Sequence, residues 1–138
     1  MMPDNPSLLL DTHILLWWRQ AETRRMRRGQ VAALEKAERN GTPVAISAIT
    51  LRELALAAAR GRIVVGLPIA EWLEELESHP GVHILPITAR IAASSVQLPA
   101  GFHSDPADQI IVATALVHGL RLLTLDDRIR AWGKVPVL

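Results

Sequence analysis

Four short apolar runs constrain this chain more than any other feature. Leu8-Leu9-Leu10, Val44-Ala45-Ile46, Val82 to Leu85 and Arg121 to Thr124 are too short for stable helices and lack a regular apolar and polar alternation. A half-exposed strand alternates, so runs like these read as strands covered on both faces. The segments between them read as helices. Strands separated by helices imply an α/β fold in three layers, a mostly parallel central sheet flanked by helices.

The punctuation supports this order. A helix begins near Thr12, and another runs from about Gln30 to Arg39 until Asn40-Gly41 stops it. Ser47 caps a helix reaching about Arg60, where Gly61 ends it. Pro68 opens a helix with Trp72, Leu73 and Leu76 on its inner face, closed by Pro80-Gly81. Ala89 to Val96 forms a short helix, Leu98 to Ser104 a polar loop, and Pro106 to His118 a longer helix. A short helix over Asp127 to Ala131 and a last strand over Val135 to Val137 complete the pattern.

With 138 residues the chain suits a single domain spanning 1–138. A domain of this size buries about two-thirds of its unfolded surface, enough for a core without covalent staples. It has no cysteine, which removes disulfides and thiolate zinc sites and suits a reducing cytoplasm. The first eighteen residues make a poor secretion signal, because Asp11 and His13 interrupt the apolar run and no Lys or Arg precedes it. No stretch approaches membrane-spanning length. A net charge of +1 points to no particular partner.

Four acids stand where carboxylates are hard to excuse. Asp11 closes the first apolar run and Asp126 follows Leu122 to Leu125, so both are delivered at the carboxyl ends of strands, where open α/β sheets bind ligands. Asp108 opens the apolar stretch Ile110 to Ala113. Glu53 shares a helical stripe with Ile49, Leu56 and Ala57, a face expected to meet the core. Taken singly, each has a structural explanation: Asp11 and Asp126 as caps, Asp105 as the N-cap before Pro106, Asp108 through the helix dipole, and Glu53 by pairing with Arg52 or Arg60. Capping does not reach Glu53, which lies in the second turn. Gathered carboxylates repel by roughly 4 kcal/mol per pair at 4 Å and an effective dielectric near 20, and a shared divalent cation reverses that sign.

Other chemistries are poorly represented. The histidines show no H-E-x-x-H, no serine sits in G-x-S-x-G, and there is neither a P-loop nor G-x-G-x-x-G. Thr12 and Thr124 each lie beside a candidate acid and are candidates to orient a water or a phosphate. Arg24, Arg25, Arg27 and Arg28, with Trp17 and Trp18 just upstream, combine charge and aromatic rings as single-stranded nucleic-acid binding does. A surface arginine cluster is also commonly no more than a solvated face.

The segments Leu8 to His13, Ile46 to Leu54, Asp105 to Ala113 and Leu122 to Asp126 resemble, in order and spacing, the PIN-domain nucleases, and most nearly the VapC-type toxins of toxin and antitoxin pairs. The resemblance implies a PIN-like fold. It also implies that Asp11, Glu53, Asp108 and Asp126 form the metal-binding and catalytic acids, with Asp105 as an accessory. Asp127, adjoining Asp126, competes for the fourth place.

The activity implied is endoribonuclease cleavage of RNA phosphodiester bonds with Mg²⁺ or Mn²⁺, cations that hard oxygen ligands suit. The partners implied are RNA, a cognate antitoxin whose tail covers the groove, and a second copy in a homodimer. The Ile63-Val64-Val65 segment and the helix around Trp72 are candidates for either protein contact. Two rival readings are weaker. A phosphoacceptor receiver domain needs an adjacent acidic pair early and a lysine near the site, whereas Asp11 has no acidic neighbour before it and the late lysine is Lys134. A noncatalytic PIN-like module for RNA binding or protein interaction would be betrayed by lost acids, and all four are present.

Overall fold

The computed structural model describes residues 5–138. It contains four strands, β1 (Leu8–Leu10), β2 (Val44–Ser47), β3 (Val82–Leu85) and β4 (Arg121–Leu123). Among the described residues there are seven α-helices: α1 (Thr12–Arg19), α2 (Arg28–Asn40), α3 (Ala48–Ala59), α4 (Ile69–Ser78), α5 (Ala89–Ser95), α6 (Pro106–His118) and α7 (Asp127–Trp132). A 3₁₀ turn at Thr23–Arg25, absent from the sequence expectation, joins α1 to α2.

The sheet order is β3-β2-β1-β4, with every pairing parallel. The chain moves outward from β1 through β2 to β3, then returns to lay β4 against the other side of β1 (Leu8 beside Arg121, Leu10 beside Leu123). That reversal leaves a crevice beyond the carboxyl ends of β1 and β4, the topological switch point of an open α/β sheet.

Successive β1 side chains enter opposite cores, which explains the lack of alternation. Leu8 and Leu10 pack with Val44, Ile46, Ile14, Leu34, Leu54 and Leu76 on one face. Leu9 packs with Ala45, Leu122, Ile111, Ala115 and Ile129 on the other. Each such leucine contributes roughly 1.5–3 kcal/mol by burial. Trp72, Leu73 and Leu76 turn to the first core as their spacing predicts. Helix α2 stops where Gly41 adopts φ 67°, a conformation that costs glycine little.

The last strand is a correction. Val135 to Val137 contributes one parallel bridge, Leu122 to Val137, in which the Leu122 N–H donates to the Pro136 oxygen (2.8 Å) and the Leu138 N–H to the Leu122 oxygen (2.9 Å). Pro136 has no N–H with which to extend a ladder.

Candidate functional site

Asp11 and Asp126 reach the crevice because each follows a strand of the switch point and caps the next helix. The Asp11 N–H donates to the Leu123 oxygen (3.0 Å), pinning it beside β4, and its Oδ1 accepts the Thr12 N–H (2.9 Å). Asp126 Oδ1 accepts the N–H groups of Arg128 (2.8 Å) and Ile129 (3.3 Å). The capping reading of both residues therefore holds, and each leaves its second carboxylate oxygen outside the cap.

Buried Thr124 links the two acids. Its hydroxyl donates to Asp11 Oδ2 (2.7 Å) and accepts the Asp126 N–H (3.0 Å). Thr12 and Thr50 share a hydroxyl hydrogen bond (3.1 Å) that ties the start of α1 to that of α3.

Asp105 and Asp108 divide their work as their positions in α6 predict. Asp105 is exposed and its Oδ1 accepts the Asp108 N–H at 3.0 Å, while the half-buried Asp108 projects toward the strand ends. Asp108 Oδ2 lies 2.7 Å from His103 Nε2 and 3.5 Å from Arg128 Nη2, and the same guanidinium reaches Asp126 Oδ2 at 3.2 Å. Ligand-capable atoms of His103, Asp108 and Asp126 all lie within 4.8 Å of one another. Asp127 is exposed on the first turn of α7, so Asp126 is the acid that meets Asp108.

Glu53 is half-buried, and its stripe meets the core only at Ile49, which packs against the second cluster. Thr50 and Leu54 take the buried face of α3, whereas Ile49, Glu53, Leu56 and Ala57 line an open cleft beside α1. Tight packing of α3 against the sheet needs the face with Thr50, and the adjacent apolar stripe is left as the wall of the cleft. The alternative reading, a pairing with Arg52 or Arg60, does not occur among the described ion pairs.

The electrostatics are those of crowded acids. Burial pushes the Asp11 carboxyl above its ordinary range, against hydrogen bonds from Thr124 and Thr12 that pull it down. Burial also raises Glu53, and the charges of Asp105, Asp108 and Asp11 raise it further. Asp108 is raised by burial and by repulsion from Asp11, Asp105 and Asp126, opposed by the His103 hydrogen bond. Burial would raise Asp126 too, but hydrogen bonds from Arg128 and the Ile129 amide outweigh it and leave this carboxyl low. Burial first, with repulsion among the carboxylates added to it, thus leaves three of the four acids raised, a condition that a hard cation relieves.

Four contributors were not legible as site residues. His103 and Arg128 touch the acids directly. Gln30, fully buried, donates from Nε2 to the main-chain oxygens of Thr124 (3.0 Å) and Leu138 (2.7 Å), and its Oε1 accepts the Arg27 N–H (3.0 Å). Arg130 Nη1 reaches the same two oxygens at 3.2 and 3.1 Å. Only Gln30 carried any signal, as a polar residue at the third position of an amphipathic helix. Of the four arginines read as a nucleic-acid patch, Arg25 lies over the Trp17 ring (4.6 Å) in the cleft, Arg24 pairs with Glu22 at 3.8 Å, and Arg27 and Arg28 are exposed at the start of α2.

The PIN domain family model matches residues 8–135. Ribonuclease VapC22 of Mycobacterium tuberculosis is 41% identical over 125 residues, which cover 91% of each chain. A chain of a toxin-antitoxin complex from Klebsiella pneumoniae superposes with a TM-score of 0.63 at 29% identity, over 96% of both chains. At 18% identity, VapBC2 from Rickettsia felis bound to a promoter DNA fragment shares the fold, with a TM-score of 0.69 over 95% of this chain and 96% of that one. On the match over nearly its whole length and the acids that the switch point gathers, the chain belongs to the PIN-domain family, among the VapC-type proteins.

Proposed function

We propose that this protein is an endoribonuclease that works with Mg²⁺ or Mn²⁺ and serves as the toxin of a toxin-antitoxin pair. The observation that carries the reading is the convergence of Asp108 and Asp126 beside Asp11 at the switch point. A relative that is named a ribonuclease, and a structural neighbour taken from a toxin-antitoxin complex, support it.

The residues fit a hard divalent cation. Arg128 already places a positive group between Asp108 and Asp126, which marks the gap as one that favours a cation. Asp11, Asp108 and Asp126 would hold the ion, with Glu53 across the cleft and Asp105 at its margin. When bound, the ion supplies Lewis acidity: it offsets the charge of the phosphodiester and acidifies an attacking water. Thr124 keeps Asp11 oriented, and the His103 ring fixes the rotamer of Asp108, as partners of ligands do. Glu53, raised by burial and then by its acidic neighbours, is the acid suited to take a proton from the incoming water. The Thr12 hydroxyl, at the same edge, is suited to position a phosphate oxygen.

The remaining partners belong to the same proposal. An antitoxin tail would cover the cleft, and strongly exposed Val64 offers it an apolar hold. Exposed Ile87, Val96 and Leu116, near or on α5 and α6, favour a homodimer. No helix among the described residues is long and apolar enough to cross a membrane.

The test is RNA cleavage by the purified protein. Cleavage is expected with Mg²⁺ or Mn²⁺, lost on chelation and restored by metal. Undiminished cleavage by Asp11→Asn in chelator would overturn the reading.

A further inference from the structure

The cleft that receives Glu53 runs well beyond the acids. It encloses about 630 Å³ between α1 and α3, and its lining changes sign along its length. Thr12, Glu53 and Asp105 line the end at the switch point. Arg52 stands beside Glu53 while Arg25, Arg60 and Arg62 line the cleft further along, and none of these four arginines enters an ion pair among the described residues. Glu53 on α3 and Arg60, the residue that ends the helix, lie two turns apart, about 10 Å along the axis, with Leu56 and Ala57 as a small apolar floor between them. The opposite wall carries His13 and Trp17, whose rings are 5.7 Å apart, and Arg25 rests on the outer indole at 4.6 Å.

Like-charged arginines held in one cleft without ion-pair partners repel one another unless a polyanion lies along them. Rings beside such charges give bases a surface to stack on. The acids at the far end repel that polyanion, so in the absence of metal its hold must come from the arginine end. We propose that this cleft seats single-stranded RNA on one side of the bond to be cut, its phosphates on Arg52, Arg60 and Arg62 and a base against the His13 and Trp17 wall. The inference rests on the ribonuclease reading above and moves the RNA contact from the exposed arginines Arg24, Arg27 and Arg28 to a different set.

Binding of a fluorescently labelled uridine dodecamer, followed by anisotropy in chelator over a salt series, tests the assignment. The variant Arg52→Ala/Arg60→Ala/Arg62→Ala removes three exposed side chains, and its thermal melt should match the wild type. Its salt slope should be shallower by about 2, at roughly 0.7 per phosphate contact, which is about a hundredfold loss of affinity near 0.1 M salt. The variant Arg24→Ala/Arg27→Ala/Arg28→Ala should keep the wild-type slope. A slope lost only in that second variant would overturn the proposal. So would poly-glutamate displacing the dodecamer as effectively as unlabelled poly-uridylate, which would assign the cleft to an acidic protein segment. Cleavage is read separately. Protein that binds through the three arginines yet cuts no RNA with metal would sink the ribonuclease reading and sustain the cleft, whereas active protein with an unaltered slope in the first variant would do the reverse.

Discussion

Thr124 holds Asp11 across 113 positions of sequence: its hydroxyl donates to Asp11 Oδ2 at 2.7 Å while accepting the Asp126 N–H at 3.0 Å. One side chain therefore sets the spacing of two acids that repel each other. Thr124→Val keeps the shape and removes both bonds. It should cost about 1–3 kcal/mol in thermal or denaturant unfolding and weaken Mn²⁺ binding about tenfold by calorimetry. Thr124→Ser should restore both, and a serine variant as impaired as valine would show that packing of the methyl group matters instead.

Gln30 acts one step further out. It and Arg130 hold the Thr124 oxygen from two sides and tie it to Leu138. Gln30→Leu leaves the Arg27 N–H without its acceptor and the Thr124 peptide with one donor fewer. The expected loss is about 1–3 kcal/mol of stability. If Gln30 positions the site as well as the fold, kcat should drop while KM for RNA stays near wild type at a temperature where the variant is fully folded. A wild-type kcat there would confine Gln30 to stability.

Asp105 and Asp108 sit one turn apart and should separate cleanly. Asp108→Asn loses charge at the point facing Asp126 and should abolish most metal-dependent cleavage with little change in melting temperature. Asp105→Asn keeps an acceptor for the Asp108 N–H and should retain the cap and much of the activity, whereas Asp105→Ala should cost about 1 kcal/mol. Metal titration and cleavage rates on all three variants decide it. Loss of metal in Asp105→Asn with retention in Asp108→Asn would reverse the assignment.

The raised carboxyls carry a pH dependence of definite sign. Asp11, Glu53 and Asp108 titrate higher in the folded protein than in the unfolded chain, so the folded state takes up more protons. The stability they contribute is complete below the unfolded pKa and is lost as pH rises through the folded values. Asp126, held low, contributes the opposite: stability present above its unfolded pKa and lost as pH falls through the folded one. In chelator, melting temperature should therefore rise on mild acidification from neutral pH, and the rise should shrink in Glu53→Gln, which should also melt higher than wild type at pH 7. Saturating Mn²⁺ should remove most of the dependence. An equal rise in Glu53→Gln and wild type would show that Glu53 is not among its sources.

Much of the fold was legible because parallel strands are short, apolar and punctuated by caps, and because Asp11 and Asp126 sit just past strands where any switch-point ligand must be met. The division between Asp105 and Asp108 was legible for a similarly local reason, since Pro106 fixes the register of α6. What failed was non-local. Glu53 was assigned to a core-facing stripe because periodicity finds an apolar face without saying whether the sheet or a cleft receives it. Gln30 and Thr124 meet over 94 positions, and His103 reaches Asp108 only because the loop before α6 folds back on the helix start. The terminal strand failed through Pro136, whose missing N–H weighs against the surrounding valines.

Joint hold on a divalent cation by the acids at the ends of β1 and β4 is tested by calorimetric titration of Mn²⁺ into wild type, Asp11→Asn and Asp126→Asn at matched thermal stability. Wild type should bind, and each variant at least tenfold more weakly, with RNA cleavage lost in step. Equal Mn²⁺ affinity in all three proteins would contradict it.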